Sequence, residues 1–211
     1  MAQVRLIAHS VLVNNEDCPK DPRRLIMMAV KTSQGKLRDN FSYYACEYEE
    51  ERIGKWVRLS AKFPSVQEHI VFTFLIEGIS RVTSHQLVRH RLASYTQESQ
   101  RYSNARLSYV VPPSVGRAGS EAIKTYIRAI NEAYRAYKEL IEAGVPPEDA
   151  RYILPQALTT TIIMTVNLRE LIHIAKLRLS PEAQWEIREV VKQMIEEASK
   201  VVPEIKELIE V

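Results

Sequence analysis

Apolar and polar positions alternate loosely over "VRLIAHSVLV" near the start of the chain, and a period of two predicts a strand there. The pattern then changes. "DPRRLIMMAVKTSQGKL" opens with Asp-Pro, carries clustered apolar residues and is punctuated by Gly35, which predicts a helix. The charged segment 47–62 predicts a polar helix, and "HIVFTFLIEGIS", rich in β-branched and aromatic residues, a strand. "SRVTSHQLVRH" reads as a short helix. Residues 92–114 then show no clear period and end in Pro112-Pro113, so a long loop is expected, with a strand near "LSYVV".

The second half is helical in pattern. Ile123, Ile127, Ile130 and Tyr134 fall at helical spacing in "SEAIKTYIRAINEAYRAYKELIEAG", which Gly144 closes. "PPEDARYILP" predicts a short helix stopped by Pro155, and the consecutive β-branched residues of "LTTTIIMTV" a strand. Asn167 and Glu170 have capping-box spacing at the head of "NLRELIHIAKLRL". "SPEAQWEIREVVKQMIEEASKVV" predicts a last long helix with Ser180 as N-cap and Pro181 at its first position. The order of elements implies an α+β fold in a single domain, 1–211, with a mixed or antiparallel sheet and long helices rather than a doubly wound sheet.

Composition narrows the function classes. With 45% apolar residues among 211, the chain can bury a core, and 29 basic against 26 acidic side chains is too balanced for a coat on nucleic acid. No apolar run is long enough to span a bilayer. The N-terminus lacks a signal-peptide layout. Cys18 and Cys46 have no metal-ligand spacing and suggest no disulfide framework, which points to a reduced, cytoplasmic setting with neither a metal nor a membrane partner.

One segment departs from this balance. Residues 79–120 hold Arg81, Arg89, Arg91, Arg101, Arg106 and Arg117, no lysine, and Glu98 as the one acid. Arginine without lysine suggests forked recognition of phosphate or carboxylate and stacking on flat rings, although ion pairs to acids elsewhere would explain the same pattern. Gln86, Arg89 and His90 would share one face if the short helix runs that far. Gln86 offers a donor and an acceptor to a base-like edge. His90, between two arginines, should be held neutral as a hydrogen-bond partner. Ser99 has arginines rather than a base nearby, so donation to a phosphate oxygen suits it better than nucleophilic attack. No nucleotide-binding glycine motif is present. A nucleic-acid module stacking bases on Tyr95, Tyr102 and Tyr109 stays open on this reading.

"RHRLASYTQES" carries Arg-His-Arg, seven residues, then Ser, and with "QRYS", an upstream "EH" and "Q..RHR", and downstream "ARYILP", "N.R.L.H...LR" and "AQWEIR" the chain resembles the flavin-dependent thymidylate synthases over 68–188. That resemblance implies the α+β fold of that family and the reductive methylation of dUMP to dTMP. FAD would be the bound cofactor, NADPH the reductant and 5,10-methylenetetrahydrofolate the carbon donor, with no protein nucleophile. It also implies a homotetramer whose active sites are shared between subunits. Carried over by position, Gln86, Arg89, Gln97, Ser99, Arg101, Arg151 and Arg178 would contact dUMP, Arg178 polarising the pyrimidine. Ser65, Glu68, Arg89, His90, Arg91, Gln97, Asn167, Arg169 and His173 would contact FAD, with Gln184 a further candidate. Phe63 stands where some members carry a histidine near the flavin, and His173 where others carry an asparagine. A catalytically idle relative that binds flavin only is a third reading, against which the retained Arg89, Ser99, Arg101, Arg151 and Arg178 argue.

Overall fold

Alternating burial along the strands decides the architecture. In the computed structural model, which describes residues 2–13, 18–102 and 105–210, strands β1 (Gln3–His9), β2 (Val71–Ser80), β3 (Ala93–Gln97) and β4 (Thr159–Asn167) form an antiparallel sheet in the order β1-β2-β4-β3. Phe72, Phe74 and Ile76 on β2, and Ile162, Met164 and Val166 on β4, are buried at every second position. The α-helices among the described residues are α1 (Arg23–Ser33), α2 (Glu50–Leu59), α3 (Arg81–Leu87), α4 (Pro113–Arg117), α5 (Ser120–Glu142), α6 (Pro147–Ala150), α7 (Leu168–Arg178), α8 (Trp185–Ser199) and α9 (Ile205–Glu210). The expected α+β class with an antiparallel sheet and long helices is what forms.

The chain divides into two compact units, one of residues 1–3, 76–89 and 96–162, the other of residues 4–75, 90–95 and 163–211. In the first, α5 pins the preceding loop, with Tyr126 Oη donating to Val110 O at 2.7 Å and Tyr134 Oη to Ala105 O at 3.1 Å. In the second, α7 packs on the 3-10 segment Pro64–His69 and on α8 and α9. Its buried side, Leu168, Leu171, Ile172, Ile174 and Ala175, is the amphipathic face that its sequence encodes. Asn167 caps it, Oδ1 accepting the Glu170 N–H at 2.9 Å.

Four sequence expectations are corrected. β3 lies inside the stretch expected to be a long loop, while near "LSYVV" only Tyr109 bridges to Leu158. α3 stops at Leu87, so Arg89 and His90 lie beyond it and share no helical face with Gln86. α8 starts at Trp185, because Gln184 Oε1 accepts the Glu186 and Ile187 N–H groups at 3.0 and 3.1 Å. Ser180 instead receives the Glu182 N–H at 3.3 Å. Cys18 and Cys46 form a disulfide, since the chain before α1 returns to the π-helical turn Tyr43–Glu47 and brings their Cα atoms to 4.7 Å; a reduced setting therefore does not follow. Ser103, in the quoted "QRYS", lies outside the described residues.

A close approach in the second unit makes one stability prediction. A Cβ on Gly54 of α2 would stand 2.7 Å from Glu204 Oε1 and 3.0 Å from Arg58 Nη1. Glu204 is buried and its Oε1 already accepts Arg23 Nη1 at 3.2 Å. Alanine gains about 1 kcal/mol of helix propensity over glycine, but displacing a buried, paired carboxylate costs more. Gly54→Ala is expected to lower stability by roughly 1–2 kcal/mol net in urea unfolding.

Candidate functional site

In the first unit, Ser80 Oγ accepts the Thr83 N–H at 3.2 Å and opens α3, which fixes Arg81 at the helix start. Arg81 Nη2 donates to Glu98 O at 2.9 Å, and its buried Nε finds no partner among the described residues. Desolvation first, then the charge of Arg151, lowers the Arg81 guanidinium from its ordinary value, against the opposing pull of Glu98. The turn at Glu148 gathers two more candidates. Arg101 Nε meets Glu148 Oε2 at 2.5 Å, and Arg151 Nε donates to Glu148 O at 3.0 Å. Ser99 Oγ accepts the Arg101 N–H at 3.1 Å. Gln97 Nε2 donates to Ser84 Oγ at 3.0 Å and to Thr160 Oγ1 at 3.3 Å, so its amide joins α3, β3 and β4. A cavity of about 300 Å³ beside these residues is lined by Arg81, Gln100, Arg106, Ser108, Thr159 and Thr161, among others. Arginines and hydroxyls in this arrangement suit an anionic, phosphate-bearing ligand.

The second unit holds a buried network. His90 is 6% exposed between the exposed Arg89 and Arg91. Arg178 Nε donates to His90 Nε2 at 3.0 Å, and His90 Nδ1 lies 3.7 Å from Glu170 Oε1. The Tyr95 hydroxyl donates to His90 O at 2.9 Å, and the rings of His90 and His173 meet edge to face at 6.5 Å. Burial first, then the Glu170 charge, raises the Tyr95 phenol. At the other end of α7, Arg169 Nη1 pairs with Glu68 Oε1 at 2.5 Å.

Burial first, then Arg178 and His173, pushes His90 from 6.5 to about 4, which agrees with the neutral partner expected from the sequence. Between these values the unfolded chain binds a proton that the folded chain refuses. The contribution to stability is therefore fully present above pH 6.5 and lost as pH falls toward 4. Unfolding midpoints should drop more steeply from pH 7 to pH 4.5 in the parent protein than in His90→Gln; equal slopes would detach His90 from the acid sensitivity.

Among the candidates, the first unit holds Gln86, Arg89, Gln97, Ser99, Arg101 and Arg151, and the second Ser65, Glu68, His90, Arg91, Asn167, Arg169, His173, Arg178 and Gln184. With Arg89, Gln97 and Arg178 aside, this is the division between nucleotide and flavin candidates. Arg89, Arg91, Arg106 and Arg117 make no ion pair or side-chain hydrogen bond among the described residues, whereas Arg101 and Arg169 do. The ion-pair explanation of the arginine cluster therefore covers only part of it. Ser65 and His173 are exposed, and Asn167 and Gln184 spend their side-chain oxygens on helix caps. Phe63 is half-buried at the entry to the 3-10 segment Pro64–His69.

The family model of the thymidylate synthase complementing protein matches residues 11–204, which carry both networks. The chain belongs to that family. It is 43% identical over 191 residues to the flavin-dependent thymidylate synthase of Sulfolobus acidocaldarius, covering 88% of this chain and 72% of the relative. To that of Saccharolobus solfataricus it is 40% identical over 210 residues, covering 97% and 75%. To that of Pyrococcus furiosus it is 52% identical over 141 residues, covering 64% and 57%. The fold is that of a UMP/dUMP methylase, PolB from Streptomyces cacaoi bound with 5-Br dUMP, at a TM-score of 0.83 and 24% identity over the whole of this chain and 95% of that one. The two networks also hold Arg81, Ser84, Tyr95 and Glu170, which the sequence reading did not assign to the nucleotide or flavin contacts. Arg81 was visible only as one of six arginines, and Glu170 was read as half of a capping box. The signal for Glu170 was its spacing of eight from Arg178, which puts both on one face of α7.

Proposed function

We propose that this chain catalyses the reductive methylation of dUMP to dTMP with FAD bound, 5,10-methylenetetrahydrofolate as carbon donor and NADPH as reductant. The observation that carries the reading is the bond from Arg178 to His90, which joins the Arg-His-Arg of the family signature to an arginine 88 residues away. Arg178 reaches no acid within ion-pair distance among the described residues, so its Nη groups stay available to a ligand.

The donor set fits a flavin dinucleotide: Arg89 and Arg91 are exposed, without an acid partner among the described residues, and suited to a diphosphate. Arg169, His173, Ser65 and Glu68 add exposed polar groups, and Asn167, His90 and Gln97 would complete the flavin contacts. Reduced flavin bound there supplies a hydride. The chain's own residues do the rest. Ser99, Arg101 and Arg151 hold the phosphate of dUMP, and Gln86 reads the uracil edge. Arg89 and Gln97 are assigned to both nucleotide and flavin, and the Arg178 Nη groups would stabilise negative charge developing on the pyrimidine. A protein nucleophile is not required, and Cys18 and Cys46, joined to each other, offer no thiolate. Residues 1–211 act as one domain, which the family match across both units supports. The working form is a cytoplasmic homotetramer with active sites shared between subunits. No helix among the described residues is long and apolar enough to cross a membrane.

An anaerobic visible spectrum tests the reading. Protein loaded with FAD is reduced by NADPH, then given dUMP and methylenetetrahydrofolate. Return of the oxidised flavin band only when both are present is the expected result. Protein that holds no flavin, or stays reduced with both substrates, would end the proposal and send the arginine cluster to a nucleic-acid binding assay.

A further inference from the structure

Glu170 is a buried carboxylate that needs an explanation. Its side chain is 8% exposed, its backbone N–H is taken by Asn167 Oδ1, and its nearest charged or titratable partner within ion-pair distance is His90 Nδ1 at 3.7 Å. No lysine or arginine pairs with it among the described residues, and its carboxylate makes no return bond to Asn167. The second half of the capping box is thus absent, and the acid points at the histidine instead. Burying a carboxylate without a cation is costly, and a leucine would pack there at no such penalty.

The geometry around His90 says what the acid does. An arginine keeps its protons at any working pH, so the 3.0 Å contact from Arg178 Nε requires His90 Nε2 to be a bare acceptor. The ring must then carry its proton on Nδ1, the nitrogen that faces Glu170 Oε1. A negative oxygen on that side favours the N–H, and the distance is too long for a direct hydrogen bond, so the influence is electrostatic in a poorly hydrated site. Tyr95 fixes the backbone of the same residue through a bond to His90 O. Glu170, Ile174 and Arg178 follow i, i+4, i+8 along α7, so one rigid helix sets the acid and the arginine at a fixed spacing on either side of the ring.

We propose that Glu170 is a positioning residue: it selects the Nδ1–H tautomer of His90, which grips Arg178 by its Nε and turns the two Nη groups toward the pyrimidine. This rests on the proposed synthase reading for its kinetic consequence, but the tautomer itself does not depend on that reading.

The test uses the full chain labelled with ¹⁵N in its imidazoles, beside dUMP turnover in FAD-loaded enzyme. The parent protein should show His90 with its proton on Nδ1. Glu170→Ala should give a mixture of tautomers and lose about tenfold in kcat, with the KM for dUMP little changed. Glu170→Gln, isosteric but uncharged, should leave the tautomer mixture and most of the loss in kcat in place, because the effect comes from the negative charge. An unchanged ¹⁵N pattern in folded Glu170→Ala would overturn the proposal, as would Glu170→Gln matching the parent protein in tautomer and kcat. Should the alanine variant not fold, the parent spectrum still decides, because an Nε2–H ring in the parent overturns it outright. Failure of the synthase reading would appear separately, as a parent enzyme with the correct tautomer and no turnover.

Discussion

Replacing Arg178 by alanine is expected to cut turnover by about two to three orders of magnitude, corresponding to ~3–4 kcal/mol of lost transition-state stabilisation. The flavin should remain bound. The size follows from geometry: Arg178 is anchored by one nitrogen to His90 at 3.0 Å, so its remaining donors are pre-set before substrate arrives. Rate should suffer more than affinity, because charge on the pyrimidine develops only in the transition state. Arg178→Lys should recover little, since an ammonium has no Nε to give the histidine while keeping a fork for the substrate. Single-turnover reoxidation of reduced flavin at saturating dUMP measures this directly. A variant that binds dUMP weakly but reoxidises at the parental rate would reduce Arg178 to a binding residue.

The second large effect concerns stability. Breaking Cys18–Cys46, whose partners are 28 residues apart, is expected to cost roughly 3–4 kcal/mol by the loop-entropy relation. The closed segment contains all of α1, whose Met27 and Met28 pack in a cluster with Leu12, Tyr44 and Ala45, so the link ties this helix to the aromatic turn beneath it. Urea unfolding with and without reductant, with a Cys18→Ser, Cys46→Ser double variant as control, should show the same loss in both cases. A midpoint indifferent to reductant would mean that the bond contributes nothing to the folded state.

Where burial has one clear period, the fold was legible. β2 and β4 showed as runs of β-branched and aromatic residues, α5 and α7 as helical stripes, and Asn167 as a cap. β3 was not, because the inward positions of that edge strand are Ala93, Tyr95 and Gln97, only one of them a large apolar residue. The end of α3 was hidden for the opposite reason: no glycine or proline follows Leu87, and "VRH" continues a helical pattern that tertiary contacts interrupt. Gln184 took the cap expected of Ser180 because two N–H groups converge on its amide oxygen, a geometry no residue preference announces. The disulfide depended on a chain reversal that spacing does not encode. Arginine without lysine marked the segment that is proposed to face the ligands. The surroundings of Arg81 and Glu170 needed coordinates, since one is half-buried with an unpartnered Nε and the other faces a histidine 80 residues earlier in the chain.

Gln97 sits among the variable letters of the signature, yet its amide bonds Ser84 and Thr160, so three distant positions are read by one side chain. The three positions are therefore coupled in this chain, since one amide serves two hydroxyls. A substitution at Gln97 removes a donor that two buried hydroxyls accept: Ser84 Oγ keeps its bond to Arg81 O, and Thr160 Oγ1 loses the Gln97 amide. The effect of changing Gln97 therefore depends on what stands at positions 84 and 160.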